Sequence, residues 1–169
     1  MSDHTFDSGE FARREQTLQG EYPLAELPRV YAEIQVGGPV QYVLVGGTDK
    51  YRRYSLDLGL KACLELKCQR CLKPLEFDLD VSTRFTLFGR QETLDAAEAD
   101  DEDLEGMLME REFSLRNLIE DEIFLSLPFA PLHDECEENA ATDTAIAPKK
   151  PNPFAVLADL KGKLQRGED

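Results

Sequence analysis

From Val40 onward, apolar and polar side chains alternate with a period of two. Val40, Tyr42 and Leu44 alternate with Gln41, Val43 and Val45, and Gly46-Gly47-Thr48-Asp49 predicts the turn that follows. Tyr54, Leu56 and Leu58 predict a second strand closed by Gly59. Ala62, Leu64, Leu66 and Cys68 predict the next, facing away from Lys61, Glu65 and Lys67. The longest run sets Leu75, Phe77, Leu79, Val81, Thr83, Phe85 and Leu87 against Glu76, Asp78, Asp80, Ser82 and Arg84. Such strict alternation signals antiparallel strands with one wet face. Upstream, residues 18–22 read as a strand, and Ser8 caps a short helix through Arg14. Leu24, Leu27 and Val30 fit one or two helical turns before Gly37-Gly38-Pro39 breaks the chain.

The period then changes. Leu115, Leu118, Ile119, Ile123 and Leu127 recur at helical spacing behind Ser114, a good N-cap, and Pro128 stops the helix. Asn152 and Pro153 open a second amphipathic helix whose stripe is Phe154, Leu157, Leu160 and Leu164. The expected fold is α+β: an antiparallel β-meander or partly closed barrel, packed by one main helix, with acidic loops and a C-terminal helical tail. Residues 1–16 read as an N-terminal tail and 17–136 as the core domain, with the acidic loop 92–112 inserted. Residues 137–169 read as an acidic linker followed by the amphipathic helix.

Charge sharpens this division. The 169-residue chain carries 34 acids against 19 Lys and Arg, a net of −15. Residues 92–112 hold ten acids and one base, and residues 134–143 five acids and no base. Both stretches are poor in large apolar side chains and read as solvated loops. Residues 50–90 are instead mildly basic, with nine bases against five acids. No apolar run approaches the roughly 20 residues needed to span a bilayer. The start, Met1-Ser2-Asp3-His4, has no secretory pattern, so a cytoplasmic protein with reduced thiols is expected.

Four cysteines in such a chain direct attention to metal. Cys68-Gln69-Arg70-Cys71 lies between two strands, and His133-Asp134-Glu135-Cys136 follows the main helix. Zinc prefers four tetrahedral thiolate and imidazole ligands, and two residues between ligands let one turn aim both inward. Cys68, Cys71, His133 and Cys136 are therefore candidate ligands for one structural zinc, against plain reduced thiols or a thiol redox pair. Cys63 falls out of register and is expected to be a bystander.

Other chemistry is thin. Glu120-Asp121-Glu122 fan around a helix axis and read as a solvated or partner-facing side. Gly37-Gly38 and Gly46-Gly47 lack the spacing of a phosphate loop. Nothing assembles nucleophile, base and orienting residue, so no enzyme and no small-molecule substrate are expected. Lys50, Arg52, Arg53, Lys67, Arg70 and Lys73, with Tyr51 and Tyr54, form either a basic RNA-facing surface or ordinary solubilising charge.

Three blocks together resemble one family, the YceD-type large ribosomal RNA subunit accumulation proteins of bacteria. The first is Cys68-Gln69-Arg70-Cys71 with Lys73-Pro74. The second is Glu120-Asp121-Glu122-Ile123 with Leu127-Pro128, Pro131 and His133. The third is Pro151-Asn152-Pro153-Phe154-Ala155-Val156-Leu157-Ala158 with Leu160-Lys161, and Gln19-Gly20 fits the family's N-terminal region. Leu72 stands where some relatives have Gly. The resemblance implies a non-enzymatic role in accumulating 23S ribosomal RNA, with a ribosomal RNA precursor or a large-subunit ribosomal protein as partner. Arg52, Arg53, Arg70, Lys73, Phe154 and Leu157 are the candidate contacts. The rival expectations are a zinc-dependent or thiol-based enzyme, and an acidic interaction protein acting outside the ribosome.

Overall fold

The alternating runs pair into one five-stranded sheet in the computed structural model, which describes residues 5–136. The elements are β1 (Thr5–Phe6), α1 (Ser8–Arg13), β2 (Thr17–Tyr22), a 3-10 turn (Leu24–Glu26), α2 (Pro28–Glu33), β3 (Val40–Thr48) and β4 (Tyr54–Lys67). They continue with β5 (Pro74–Phe88), α3 (Gln91–Asp100), β6 (Gly106–Leu108), β7 (Phe113–Ser114) and α4 (Leu115–Ser126). The sheet order is β2-β3-β4-β5-β6, and β1 with β7 makes a separate two-stranded ribbon. Strands β2 to β5 pair antiparallel, while β6 joins β5 in parallel. The sheet stays open, so of the two expected forms the protein adopts the meander.

Register explains the core. Tyr42, Leu60 and Val81 share one row across the sheet, as do Leu44, Leu58 and Thr83. Leu44, Leu58 and Leu60 are fully buried, and each such side chain contributes about 1.5–3 kcal/mol when shielded from water. Helix α4, the longest helix among the described residues, turns Leu115, Ile119 and Ile123 into this core. Its N-cap is Ser114, whose Oγ accepts from Asn117 N at 3.3 Å, and the helix ends before Pro128 as its sequence requires.

Four details differ from the pattern-based expectation. Gly59 does not close a strand: β4 runs through it for 14 residues, because the apolar phase from Tyr54 to Leu66 never breaks. The turn after β3 is not Gly46 to Asp49 but residues 49–53, where Asp49 Oδ1 accepts from Tyr51 N and Arg53 N, both at 2.8 Å. The acidic segment 92–112 is not all loop. It supplies α3 and β6, with Leu94 buried against the bare backbone of Gly106. Residues 5–16 are not a tail either, since Phe11 and Ala12 of α1 are core residues and Asp7, not Ser8, caps the helix.

Gly46 makes the α1 packing possible. A Cβ there would lie 2.7 Å from Phe11 O and 2.8 Å from Ala12 Cα, both backbone atoms of α1. Gly46→Ala should therefore push α1 off the sheet and cost about 1–3 kcal/mol, read as a lower denaturant midpoint. The expected C-terminal helix, with Phe154 and Leu157, lies outside the described residues. Among the described residues, no helix is long and apolar enough to cross a membrane.

Candidate metal centre

The two ligand pairs meet because β4 and β5 form a hairpin whose tip lies beside the segment leaving α4. Cys68 follows the last residue of β4, and its N–H donates to Lys73 O at 3.0 Å. Leu72 N–H returns to Cys68 O at 2.9 Å, with Leu72 at φ 59, in the left-handed region that favours glycine. Gln69 N–H donates across to Pro131 O at 2.9 Å and so ties the tip to the second segment.

Cys68, Cys71, His133 and Cys136 place one ligand atom each within 4.8 Å of one another. Cys68 Sγ and Cys136 Sγ are 3.5 Å apart, and His133 Nδ1 lies 3.4 Å from Cys71 Sγ and 3.7 Å from Cys136 Sγ. Zinc–ligand bonds of about 2.3 Å to sulfur and 2.0–2.1 Å to nitrogen put tetrahedral neighbours about 3.8 Å and 3.6 Å apart. The cluster is thus the size of one zinc ion. His133 Nε2 donates to Pro74 O at 2.9 Å, a carbonyl that can only accept. That bond fixes the tautomer and leaves the Nδ1 lone pair facing the sulfurs, as a metal-binding histidine requires.

Electrostatics favour thiolate at two of the three cysteines. The Cys71 backbone N–H brings the Cys68 thiol down to about 5 against the opposing effect of burial. Burial opposes ionisation of Cys136 as well, but Arg70 and His133 outweigh it and lower that thiol. At Cys71 the Lys73 backbone N–H works downward, yet burial and the neighbouring sulfurs of Cys68 and Cys136 leave its pKa raised. His133 is raised, chiefly by its contact with Cys136. Three crowded sulfurs compete for the same nearby donors, which explains these opposed shifts, and a divalent metal held among them would neutralise all of them at once.

Not every candidate residue converges. Arg70, a candidate partner contact, also works inside the cluster: its guanidinium donates to His133 O at 3.0 Å and bonds the Cys136 sulfur, bracing the loop. Arg52 and Arg53 lie on the β3–β4 turn, whereas Lys67, Arg70 and Lys73 lie at the far end of β4, about 45 Å away along a strand of 14 residues. The basic residues therefore form two separate tips and not one face. At the first tip, Lys50 and Arg53 both sit 4.9 Å from the Tyr51 ring centroid, and Tyr51 is exposed. Cys63 is exposed and outside the cluster, as its register implied.

The sequence reading missed the Glu120 and Glu122 side chains, which are buried and not solvated. Glu120 Oε1 accepts from Arg29 N at 2.7 Å, and Glu122 Oε2 accepts from Thr83 Oγ1 at 2.7 Å. The one polar residue on the apolar phase of β5, Thr83, was the available signal for Glu122; nothing local marked Glu120.

The family model described as "Large ribosomal RNA subunit accumulation protein YceD" matches residues 56–161, a span that includes all four candidate ligand residues. The Haemophilus influenzae protein of that same description is 29% identical over 167 residues, covering 94% of this chain and 95% of its own. No solved structure matches the chain.

Proposed function

Because the chain belongs to the YceD family of large ribosomal RNA subunit accumulation proteins, we propose that it is a non-enzymatic ribosome-biogenesis factor. In this reading it sustains 23S ribosomal RNA in the cytoplasm by engaging a large-subunit precursor particle or one of its proteins. The observation that carries the reading is the donor set of the metal centre. Three sulfurs and one imidazole nitrogen make four protein ligands, and zinc so held has no position left for substrate or activated water. The zinc is then structural, fastening residues 131–136 to the β4–β5 tip. A thiol enzyme fits less well, since the two lowered thiols, Cys68 and Cys136, both belong to the candidate ligand cluster, while the exposed Cys63 has its thiol pKa raised. Arg52, Arg53, Lys73, Phe154 and Leu157 are the proposed contact residues, and Arg70 serves the metal loop.

The test is a sucrose gradient of cells carrying the tagged full chain, paired with 23S to 16S ratios in a strain lacking it. Co-sedimentation with large-subunit precursors and a lowered ratio are expected. A chain that stays at the top of the gradient, with an unchanged ratio, would overturn the assignment.

A further inference from the structure

Among the described residues, the last residues of β4 lack a strand neighbour on one side. Pairing with β3 ends at Lys61, and the segment 36–38 covers the edge only to Glu65, whose N–H donates to Val36 O at 2.9 Å. Among the described residues, no strand lies beside Leu66 and Lys67 there. The result is an open groove of about 610 Å³. Ile34 and Val36 after α2 form one wall, Leu72 of the metal-bearing tip another, and Phe124, Leu127 and Pro131 around the end of α4 the third. Val36 and Leu72 are 56% and 59% exposed, a large apolar opening for residues that other segments hold in place.

Among the described residues that line this groove, the carboxylates Glu33 and Glu65 outnumber the one cation, Lys67, while Arg70 and Lys73 lie on the neighbouring tip. Glu65 also stands directly across from Glu76 in the β4–β5 register, and the next outward position of β5 is Asp78. Like charges opposed across a strand pair are unfavourable in the isolated protein, and an arriving cation relieves them. RNA would need open ring faces for its bases, and Phe124, the one aromatic ring among the described lining residues, already has the Arg29 guanidinium over it at 5.6 Å. Aliphatic walls beside carboxylates suit a different ligand.

We propose that the groove receives an apolar peptide segment flanked by lysine or arginine, supplied by a basic protein of the large ribosomal subunit. The inference rests on the ribosome-biogenesis reading and adds the partner class and the surface. Apolar side chains enter between Val36, Leu72 and Leu127 while the flanking cations meet Glu33, Glu65 and Glu76, the pattern of groove recognition with electrostatic steering. The metal centre takes part indirectly, because it holds the Leu72 and Pro131 walls at a fixed separation.

The zinc-loaded full chain should be immobilised and offered two probes: RNA-free protein extracted from purified large subunits, and deproteinised 23S ribosomal RNA. Retention of a basic large-subunit protein, weakening as salt rises, is expected. Val36→Glu and Glu65→Lys should each weaken that retention at least tenfold, with zinc content and melting temperature unchanged. Retention that neither variant alters, or retention of the RNA alone, would overturn the proposal. The wild-type gradient separates the two levels. Co-sedimentation with precursors alongside insensitive variants removes only the groove, whereas absence of co-sedimentation removes the biogenesis reading itself.

Discussion

Removing zinc from the purified protein with a chelator should lower its melting temperature by about 10 °C. A ligand that binds only the native state at a thousandfold excess over its dissociation constant adds about 4 kcal/mol. For a chain of this size each kcal/mol moves the midpoint by about 2–4 °C. The effect falls here because the four donors come from two segments far apart in sequence. Among the described residues, direct ties between those segments include the Gln69–Pro131, Arg70–His133 and His133–Pro74 hydrogen bonds, the Arg70–Cys136 contact and the cluster itself. Metal analysis should give about one equivalent of zinc, lost in Cys68→Ser and His133→Ala and kept in Cys63→Ser, since Cys63 stands outside the cluster. Acidification should release the metal, because thiolate and neutral imidazole are the binding forms. Identical melting of stripped and loaded protein would sink the structural zinc.

The parts of this centre that were legible in the sequence are the ones that depend on spacing alone. Two residues between Cys68 and Cys71, and between His133 and Cys136, declare a ligand pair each, and α4 returning over the sheet brings the pairs together. What lay hidden was non-local backbone chemistry. The Pro74 carbonyl that orients His133 and the His133 carbonyl that engages Arg70 have no residue-type signature. Arg70, read from the sequence only as a candidate partner contact, also braces the loop that carries His133 and Cys136.

The same division runs through the fold. Strict alternation located β3, β4 and β5, because a sheet with one wet face writes its register into every second residue. Gly59 misled only by convention: it punctuates loops more often than strands, yet the phase on either side of it is continuous. The acidic stretch 92–112 misled for a physical reason. Its structure rests on few anchors, chiefly Leu94 over Gly106 and a three-residue parallel pairing with β5, too few to raise its mean apolarity. The N-terminal residues are likewise held by a long-range contact, Phe6 between Phe11 and Phe113 with ring centroids 4.6 and 5.4 Å away.

Glu120→Ala should destabilise the protein by about 3 kcal/mol, and Asp121→Ala by no more than about 0.5 kcal/mol, although Asp121 makes the more conspicuous ion pair. Helix α2 begins with Leu27 at its N-cap, which offers no side-chain acceptor, and with Pro28, which has no N–H. The next two donors, Arg29 N and Val30 N, both point at Glu120 Oε1, at 2.7 and 3.4 Å. A carboxylate of α4 thus caps α2 from another part of the chain, where the partial positive charge of a helix start favours it. Truncation leaves two donors facing a buried void with no water to replace the lost acceptor, because Glu120 is 1% exposed. Glu120→Gln keeps one acceptor oxygen and should cost about 1 kcal/mol. Asp121 reaches the Arg29 guanidinium at 2.6 Å, but both side chains are 54% exposed, so water replaces that pair cheaply. The consequence extends to the groove. Glu120 locks α2 to α4, and Ile34 and Val36 on one wall leave α2 while Phe124 and Leu127 on another belong to the end of α4. Loosening the cap should therefore weaken retention of the basic ribosomal protein even though Glu120 never touches it. Equal denaturant midpoints for Glu120→Ala and Asp121→Ala would show that α2 is held by surface charge and not by its borrowed cap.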